Sequence, residues 1–311
     1  MDEVAVIIPC FNEEKTIGKV VSDFKRELPE ATIYVYDNNS TDKSAELSRN
    51  AGAVVCHEYM QGKGNVIRRM FREIDAKVYV MVDADDTYPA EASKEMVELV
   101  KNKQVDMVVG DRLSSTYFEQ NKRPFHNIGN SFVRGSINFL FGSNIRDIMT
   151  GYRAFSYQFV KTFPVLSKGF EIETEMSIHA IDKNMHIENV VIDYRDRTDG
   201  SESKLDTYSD GLRVLKMIMS LYRQYKPMAY FGILALILTV ISAVFFTPVL
   251  IEYFETGLVP RFPTLIVCGF MIIAAIQSFF AGMILETIVQ KNKQDFEEQL
   301  MNINNIYNSK L

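Results

Sequence analysis

The sequence predicts an α/β domain with a mostly parallel sheet and helices on both faces, followed by two membrane-spanning helices. Three observations predict it. Short apolar runs rich in β-branched residues alternate with stretches of helical periodicity as far as Val109. Polar, turn-prone segments close three of those runs. Beyond Lys226 the composition shifts to two long stretches without a charge.

The elements follow in order. Val4–Ile8 reads as a strand, and Glu13–Leu28 as a helix with apolar positions at Ile17, Val20, Val21, Phe24 and Leu28. Thr32–Tyr36 is strand-like, and Ser40-Thr41-Asp42 can cap a helix running to about Asn50. Ala53–Cys56 reads as a short strand, Lys63–Ile74 as a helix, Val78–Val82 as a strand, Ala90–Lys101 as a helix and Val105–Val109 as a strand. In open sheets of this kind ligands bind at the carboxyl ends of the strands. The polar segments Pro9-Cys10-Phe11-Asn12-Glu13, Asp37-Asn38-Asn39-Ser40 and Asp83-Ala84-Asp85-Asp86 fall there.

The two uncharged stretches are Pro227–Ile251 and Phe262–Leu285. At 1.5 Å per residue each would reach roughly 36 Å as a helix, enough for a hydrocarbon core of about 30 Å. The short connection Glu252–Arg261 makes them a hairpin. Arg213, Lys216, Arg223 and Lys226 precede the first span, Lys291 and Lys293 follow the second, and the loop carries only Arg261. The positive-inside rule then places both flanks in the cytoplasm. Tyr208–Tyr225 has a polar stripe at Arg213, Lys216, Ser220 and Arg223 opposite Leu212, Leu215, Ile218, Met219 and Tyr222. That pattern fits a helix lying in the headgroup region or one packed on the soluble domain. Asn130–Phe141 is a weaker candidate of the same kind. The expected division is a catalytic domain over 1–207, an interfacial helix over 208–226, spans over 227–251 and 262–289, and a cytoplasmic tail over 290–311.

Several classes are disfavoured. A net charge of −6 argues against nucleic acid as a partner. Three dispersed cysteines and four histidines without ligand spacing argue against a disulfide framework or a zinc site. Neither G-x-G-x-x-G nor G-x-x-x-x-G-K-[ST] occurs. The acidic start and the short Val4–Ile8 run do not make a signal peptide. What remains is the apolar run Val78–Val82 ending in Asp83-Ala84-Asp85, the sole D-x-D of the chain. Two acids on such a turn suit Mg²⁺ or Mn²⁺, which prefer oxygen ligands and complete their shells with substrate phosphates. Such a metal offsets charge on a leaving diphosphate.

The ordered set Ile7-Ile8-Pro9-Cys10-Phe11-Asn12-Glu13-Glu14, Asp37-Asn38-Asn39-Ser40-Thr41-Asp42, Gly62-Lys63-Gly64 and Asp83-Ala84-Asp85 resembles the nucleotide-binding half of family-two glycosyltransferases, which have the Rossmann-like A-type glycosyltransferase fold. A later set is similar to the polyprenyl-phosphate branch, which includes dolichyl-phosphate mannosyltransferases and bacterial undecaprenyl-phosphate glucosyltransferases. It comprises Asp147-x-x-Thr150-Gly151-Tyr152-Arg153, Gly169-Phe170-Glu171-Ile172-Glu173, Tyr194-Arg195-Asp196-Arg197 and Gly200-Ser201-x-Ser203-Lys204-Leu205. The resemblance covers roughly residues 4–226, and the hairpin also matches the bacterial branch.

The resemblance implies a nucleotide-sugar donor, a polyprenyl phosphate acceptor, a divalent metal, the membrane as a partner and a homotetramer. By it, Pro9, Phe11, Asn12, Glu13, Asp37, Lys63 and Asp83 line the nucleotide pocket, with Asp37 on the base. Asp85, with Asp83, holds the metal. Arg112, Arg123, Arg197 and Lys204 meet the acceptor or donor phosphates, and Glu173 and Asp147 lie near the donor sugar. The chain departs from the family at two places. Asn38 stands where a second acid is common, and Thr87 where mannosyltransferase relatives carry Gln; the latter lowers the case for GDP-mannose. The resemblance alone implies a UDP-sugar, with glucose or N-acetylglucosamine as the sugar. Plainer readings exist for several residues: Asp147 with Arg153 as a structural ion pair, Glu171, Glu173 and Glu175 as a solvated helix face, and Gly62-Lys63-Gly64 as a flexible loop.

A lipid phosphate is largely dianionic at neutral pH, so its attack on an anomeric carbon needs no general base, only placement and cations. Direct displacement inverts that carbon. A processive polysaccharide synthase is a rival, but its Q-x-x-R-W signature is absent, since the chain has no tryptophan. An inactive membrane-anchored binding protein is a second rival, disfavoured by the intact Asp83, Asp85, Arg197 and Lys204.

Overall fold

The computed structural model describes residues 1–112, 114, 135, 146–169, 171–193, 219–220 and 222–310. Arg123, Arg197, Lys204, the Asn130–Phe141 candidate except Gly135 and most of the 208–226 segment lie outside them. The chain divides into two compact units, Met1–Tyr208 with Phe296–Leu311, and Ser209–Asp295.

The first unit holds a seven-stranded sheet in the order β3-β2-β1-β4-β6-β5-β7. Its strands are β1 (Asp2–Cys10), β2 (Thr32–Asp37), β3 (Val54–His57), β4 (Ala76–Met81), β5 (Met107–Asp111), β6 (Arg153–Ser156) and β7 (Ile187–Val191). β1 pairs in parallel with both β2 and β4, and β2 with β3. Such central strands are covered on both faces, so they carry continuous apolar runs. Ala5, Val6, Ile7 and Ile8 accordingly have no exposed surface.

Helices α1 (Ile17–Glu27), α2 (Ser44–Asn50), α3 (Lys63–Glu73) and α4 (Ser93–Lys103) make the crossovers. α1 buries Ile17, Val20, Val21 and Phe24, the spacing that marks its core face. The start of α2 differs from the expected cap. Asp42 Oδ1 accepts from the Ser44 N–H at 3.0 Å, whereas Ser40 Oγ accepts from the Asn12 N–H of the neighbouring loop at 2.9 Å. α4 begins at Ser93, because Ala90–Ala92 is a 3₁₀ turn.

β6 breaks the parallel pattern, lying antiparallel to both β4 and β5. Its four residues begin with Arg153, whose charge hides the strand from any apolar count. Arg153 is fully buried, and it donates to the carbonyls of Ile148 at 2.7 Å and Thr150 at 3.0 Å. Burial pushes its guanidinium down to about 10. It shapes the backbone before β6 and forms no bond with Asp147, so the expected Asp147–Arg153 pair is corrected.

After β6 come α5 (Tyr157–Thr162) and α6 (Ile172–Asp182). Against them lie the last turns of the C-terminal helix, α8 (Phe262–Lys310). Asn304 Oδ1 accepts from Gln158 Nε2 at 3.0 Å, and the rings of Tyr307 and Tyr157 lie 5.1 Å apart. Lys310 pairs with Asp75 at 2.5 Å, and the buried Phe296 meets His179 of α6 edge-on at 5.5 Å. The second unit is the hairpin of α7 (Pro227–Thr256) and the earlier part of α8. Gly257, at φ 71°, ends α7 in the left-handed conformation that glycine takes without strain. Ser242 Oγ donates to Cys268 O at 3.1 Å across the pair.

Candidate functional site

Three strands, β1, β2 and β4, end side by side, and a residue with left-handed backbone lies in the loop after each. The φ angles are 55° at Asn12, 66° at Asn39 and 58° at Asp86. Asn and Asp tolerate that region best among residues with a Cβ. Asn12 Oδ1 accepts from the Thr41 N–H at 2.8 Å, and Asn39 Nδ2 donates to Tyr59 O at 3.1 Å. Asn38 Nδ2 donates to the carbonyls of Glu58 and Met60, both at 2.9 Å. Short polar side chains thus lace the strand-end loops together. Asn38, where the family often has a second acid, is a buried tie between loops.

Of the predicted nucleotide residues, Pro9 is half-buried and Phe11 exposed. Glu13 precedes α1, its carboxylate accepting from Thr16 Oγ1 at 3.1 Å while its backbone carbonyl accepts from the Ile17 N–H at 3.0 Å. Asp37 is buried at the end of β2.

A charge cluster sits beyond β4. The Lys63 ammonium lies 2.5 Å from Asp83 and 2.6 Å from Glu173, and the Lys63 and Glu173 side chains are only 10% and 6% exposed. Burial alone would push the Lys63 ammonium down. Asp83 and then Glu173 more than offset this and hold it well above the ordinary lysine range. Burial pushes the Glu173 carboxyl up, with Lys63 opposing.

Two readings from the sequence are corrected here. Glu173 is not on a solvated face; it is buried at the first turn of α6. Glu175 turns back onto Leu166 and Ser167, accepting from their N–H groups. Nor is Gly62-Lys63-Gly64 a flexible loop. Gly62 precedes α3 at φ 128°, and a Cβ on Gly62 or Gly64 would run into the backbone carbonyls of Lys168 or Ser167. The two glycines let α3 begin against that backbone, which aims Lys63 at Asp83.

Asp85 is half-buried, and its Oδ1 accepts from Thr87 Oγ1 at 2.6 Å and from the Thr87 N–H at 3.3 Å. Arg112 leaves β5 and grips Asp147 with two bonds, Nε to Oδ2 at 2.7 Å and Nη2 to Oδ1 at 3.2 Å. A fork of this kind fixes both side chains.

Sequence reasoning missed Tyr88, which is buried beside this pair. Its hydroxyl accepts from Arg112 Nη1 at 3.3 Å and from the Gly151 N–H at 3.2 Å, and burial pushes its phenol up to about 12. It also missed why Gly151 is glycine: a Cβ there would collide with the Asp83 carboxylate. The Thr150-Gly151-Tyr152-Arg153 motif was the available signal.

Comparison with known proteins bears on this arrangement. A family profile described as Glycosyl transferase family 2 matches residues 5–163. The chain belongs to this family. The transferase is 34% identical to glycosyltransferase AglJ of Haloferax volcanii over 235 residues, covering 74% of this chain and 76% of that one. It is 30% identical to a dolichyl-phosphate hexose transferase of the same organism, covering 70% of this chain and 93% of that one. Over 110 residues it is 57% identical to protein RfbJ of Shigella flexneri, 35% of this chain and 84% of that one. Among solved structures it matches glucosyl-3-phosphoglycerate synthase of Mycobacterium tuberculosis with a TM-score of 0.56 at 17% identity, over 72% of this chain and 81% of that one. The same enzyme solved with Mn²⁺, UDP and glucosyl-3-phosphoglycerate gives a TM-score of 0.55. The fold of the transferase is therefore the A-type glycosyltransferase fold, and the resemblance to the polyprenyl-phosphate branch fits the names of its relatives. The mixed sheet, with β6 antiparallel, belongs to that architecture.

The second unit differs in kind. α7 and α8 are both long and apolar enough to cross a membrane, with mean hydropathy 2.6 and 2.2 in their most apolar windows. Large apolar side chains on them, among them Val244 at 63% and Phe270 at 68%, are exposed.

Proposed function

We propose that this transferase moves a sugar, glucose or N-acetylglucosamine, from a UDP-sugar to a polyprenyl phosphate at the cytoplasmic membrane face, with inversion and with a divalent metal. The product would be a lipid-linked sugar for glycosylation of the cell envelope. The observation that carries the proposal is a family-two strand end, closed by Asp83, Asp85, Lys63, Glu173 and the Arg112–Asp147 fork, on a chain that also bears two span-length apolar helices. Relatives named for dolichyl phosphate support the choice of acceptor.

The residues fit a metal held lightly. Among the described residues no group of three or more His, Cys, Asp or Glu converges. Mg²⁺ commonly uses one or two carboxylates and takes the rest of its shell from substrate phosphates and water. Asp85 would supply that carboxylate, with Asp83 beside it. When bound, the metal supplies positive charge to the departing diphosphate.

The protein's own groups do the rest. Lys63 keeps Asp83 and Glu173 from repelling each other, so both can lie within reach of one sugar. Arg112, fixed by Asp147 and Tyr88, presents a guanidinium to an arriving phosphate. Arg197, Lys204 and Arg123 are proposed for the same phosphate. The lipid phosphate oxygen then attacks the anomeric carbon as the diphosphate leaves, without a base.

Positive charge on both flanks of the hairpin supports a topology with the catalytic unit and the C-terminal end in the cytoplasm and Glu252–Arg261 outside. The packing of Asn304, Tyr307 and Lys310 on the catalytic unit supports the same topology.

The test is isotope transfer from labelled UDP-glucose, UDP-N-acetylglucosamine and GDP-mannose into extractable lipid, with undecaprenyl phosphate as acceptor, with and without chelator. Label in the lipid from a UDP-sugar, lost on chelation, is the expected result. Label only from GDP-mannose would overturn the donor, and label only in polymer would favour a synthase.

A further inference from the structure

Asp37 and His57 end β2 and β3, and they are register partners across that parallel pair. The Glu58 N–H donates to Asp37 O at 2.8 Å, so the ladder continues past them. His57 Nδ1 lies 3.1 Å from Asp37 Oδ2. A carboxylate only accepts, so the hydrogen sits on Nδ1. The Ser40 N–H, at 3.3 Å, points at the same Oδ2. Oδ1 is buried and has no partner among the described residues, in a side chain 7% exposed. A carboxylate oxygen closed off without a donor is costly, and a ligand N–H would relieve that cost.

We infer that His57 determines which nucleobase this site accepts: by engaging Asp37 Oδ2 it leaves a single acceptor, Oδ1, which suits the lone imide N–H of uracil and not the paired N–H donors of guanine. The inference rests on the reading that a nucleotide sugar binds at this strand end. Guanine offers a ring N–H and an amino N–H side by side, a match for both oxygens of one carboxylate. Cytosine and adenine offer a ring nitrogen acceptor at the corresponding position, which faces a carboxylate unfavourably. Uracil offers one donor between two carbonyls. The Tyr59 ring lies edge-on to the His57 ring at 4.6 Å.

The experiment uses the full chain in detergent with Mg²⁺. Calorimetry compares UDP, N3-methyl-UDP, GDP and IDP, the last being a purine diphosphate with the ring N–H but no amino group. The unmodified protein should bind UDP at least about tenfold more tightly than N3-methyl-UDP or GDP, and IDP no more weakly than GDP. His57→Phe keeps a ring on Tyr59 but donates nothing. It should lower the UDP-to-GDP preference about tenfold and make GDP bind more tightly than IDP. His57→Gln keeps an N–H donor and should retain the original order.

Unchanged ratios in His57→Phe would overturn the inference while leaving the UDP reading intact. Tighter binding of GDP than of UDP by the unmodified protein would overturn both. If His57→Phe does not fold, the order of IDP and GDP in the unmodified protein still decides: GDP tighter than IDP overturns the single-acceptor argument. Failure of lipid transfer with the base preference intact would overturn only the proposed acceptor.

Discussion

The strand-end site and the helical hairpin invert each other's burial. Beyond β4, groups that water normally keeps outside are sunk in the protein: Lys63 and Glu173 are nearly sealed, and the Asp147 carboxylate is 1% exposed. Along α7 and α8, groups that normally go inside face outward, and only 11% and 17% of the most apolar windows is buried. Each departs from the rule for a water-soluble surface in the opposite direction. A buried charge persists only where its partners hold it, which is what a site for a charged substrate needs. An apolar surface all round a long helix persists where the surroundings are apolar too. The contrast separates a unit that buries paired charges from one that exposes apolar surface.

The sharpest way to break the contrast is at its chemical end. Asp85→Ala should lower transfer by roughly 10³-fold or more while the protein stays folded, and chelation should mimic it. Full turnover in the variant, measured with labelled donor, would remove the metal from the account.

Lys63→Met leaves Asp83 and the buried Glu173 without the cation that lies between them. It should destabilise the catalytic unit by about 3–5 kcal/mol in denaturant unfolding. Adding Glu173→Gln should restore part of that loss. A neutral Lys63→Met would mean the cluster is open to water.

On the hairpin, Val244→Lys sits at a position 63% exposed. On a water-facing helix it would change stability by less than about 0.5 kcal/mol. In a bilayer it should cost about 2.5–3.5 kcal/mol of insertion, read as loss of membrane-integrated protein. A neutral result would show that the hairpin is not in lipid.

His179 tests the seam where Phe296 packs on α6. Burial first, and then Lys183, hold its pKa down at about 4, so the folded state keeps it neutral. Between the unfolded value near 6.5 and about 4, only the unfolded chain takes up the proton. Stability from this group is therefore complete above about 6.5 and declines as pH falls toward 4, by up to about 3 kcal/mol. His179→Phe should flatten that part of the stability–pH curve, and an unchanged slope would place the titration elsewhere.

The smallest of these effects concerns the cations proposed for the lipid phosphate. Arg197→Ala and Lys204→Ala should each lower turnover by roughly 10²-fold, with donor binding in the absence of lipid less affected in at least one. Near-normal turnover in both would shift the phosphate to Arg112 and Arg123.

Local pattern made much of the fold legible. β1, β2 and β4 are apolar runs because both of their faces are covered, so they stand out in any reading of the chain. β6 does not stand out. It is four residues long and starts with a buried arginine that only the carbonyls of Ile148 and Thr150 make tolerable. The D-x-D turn was legible because its chemistry lies within three consecutive residues. The partners of Asp83 were not, since Lys63 and Glu173 come from elements 20 and 90 positions away along the chain.

The sequence by itself determined the alternating α/β order, the three polar strand ends and the two apolar helices, because each follows from residues close together in the chain. The tertiary structure alone decided which charges meet. It turned Glu173 inward, gave Arg112 rather than Arg153 to Asp147, set Tyr88 beneath the fork, and placed His57 beside Asp37. A carboxylate's pairing depends on distances between distant segments and on the water excluded around it, and neither quantity is written in local sequence.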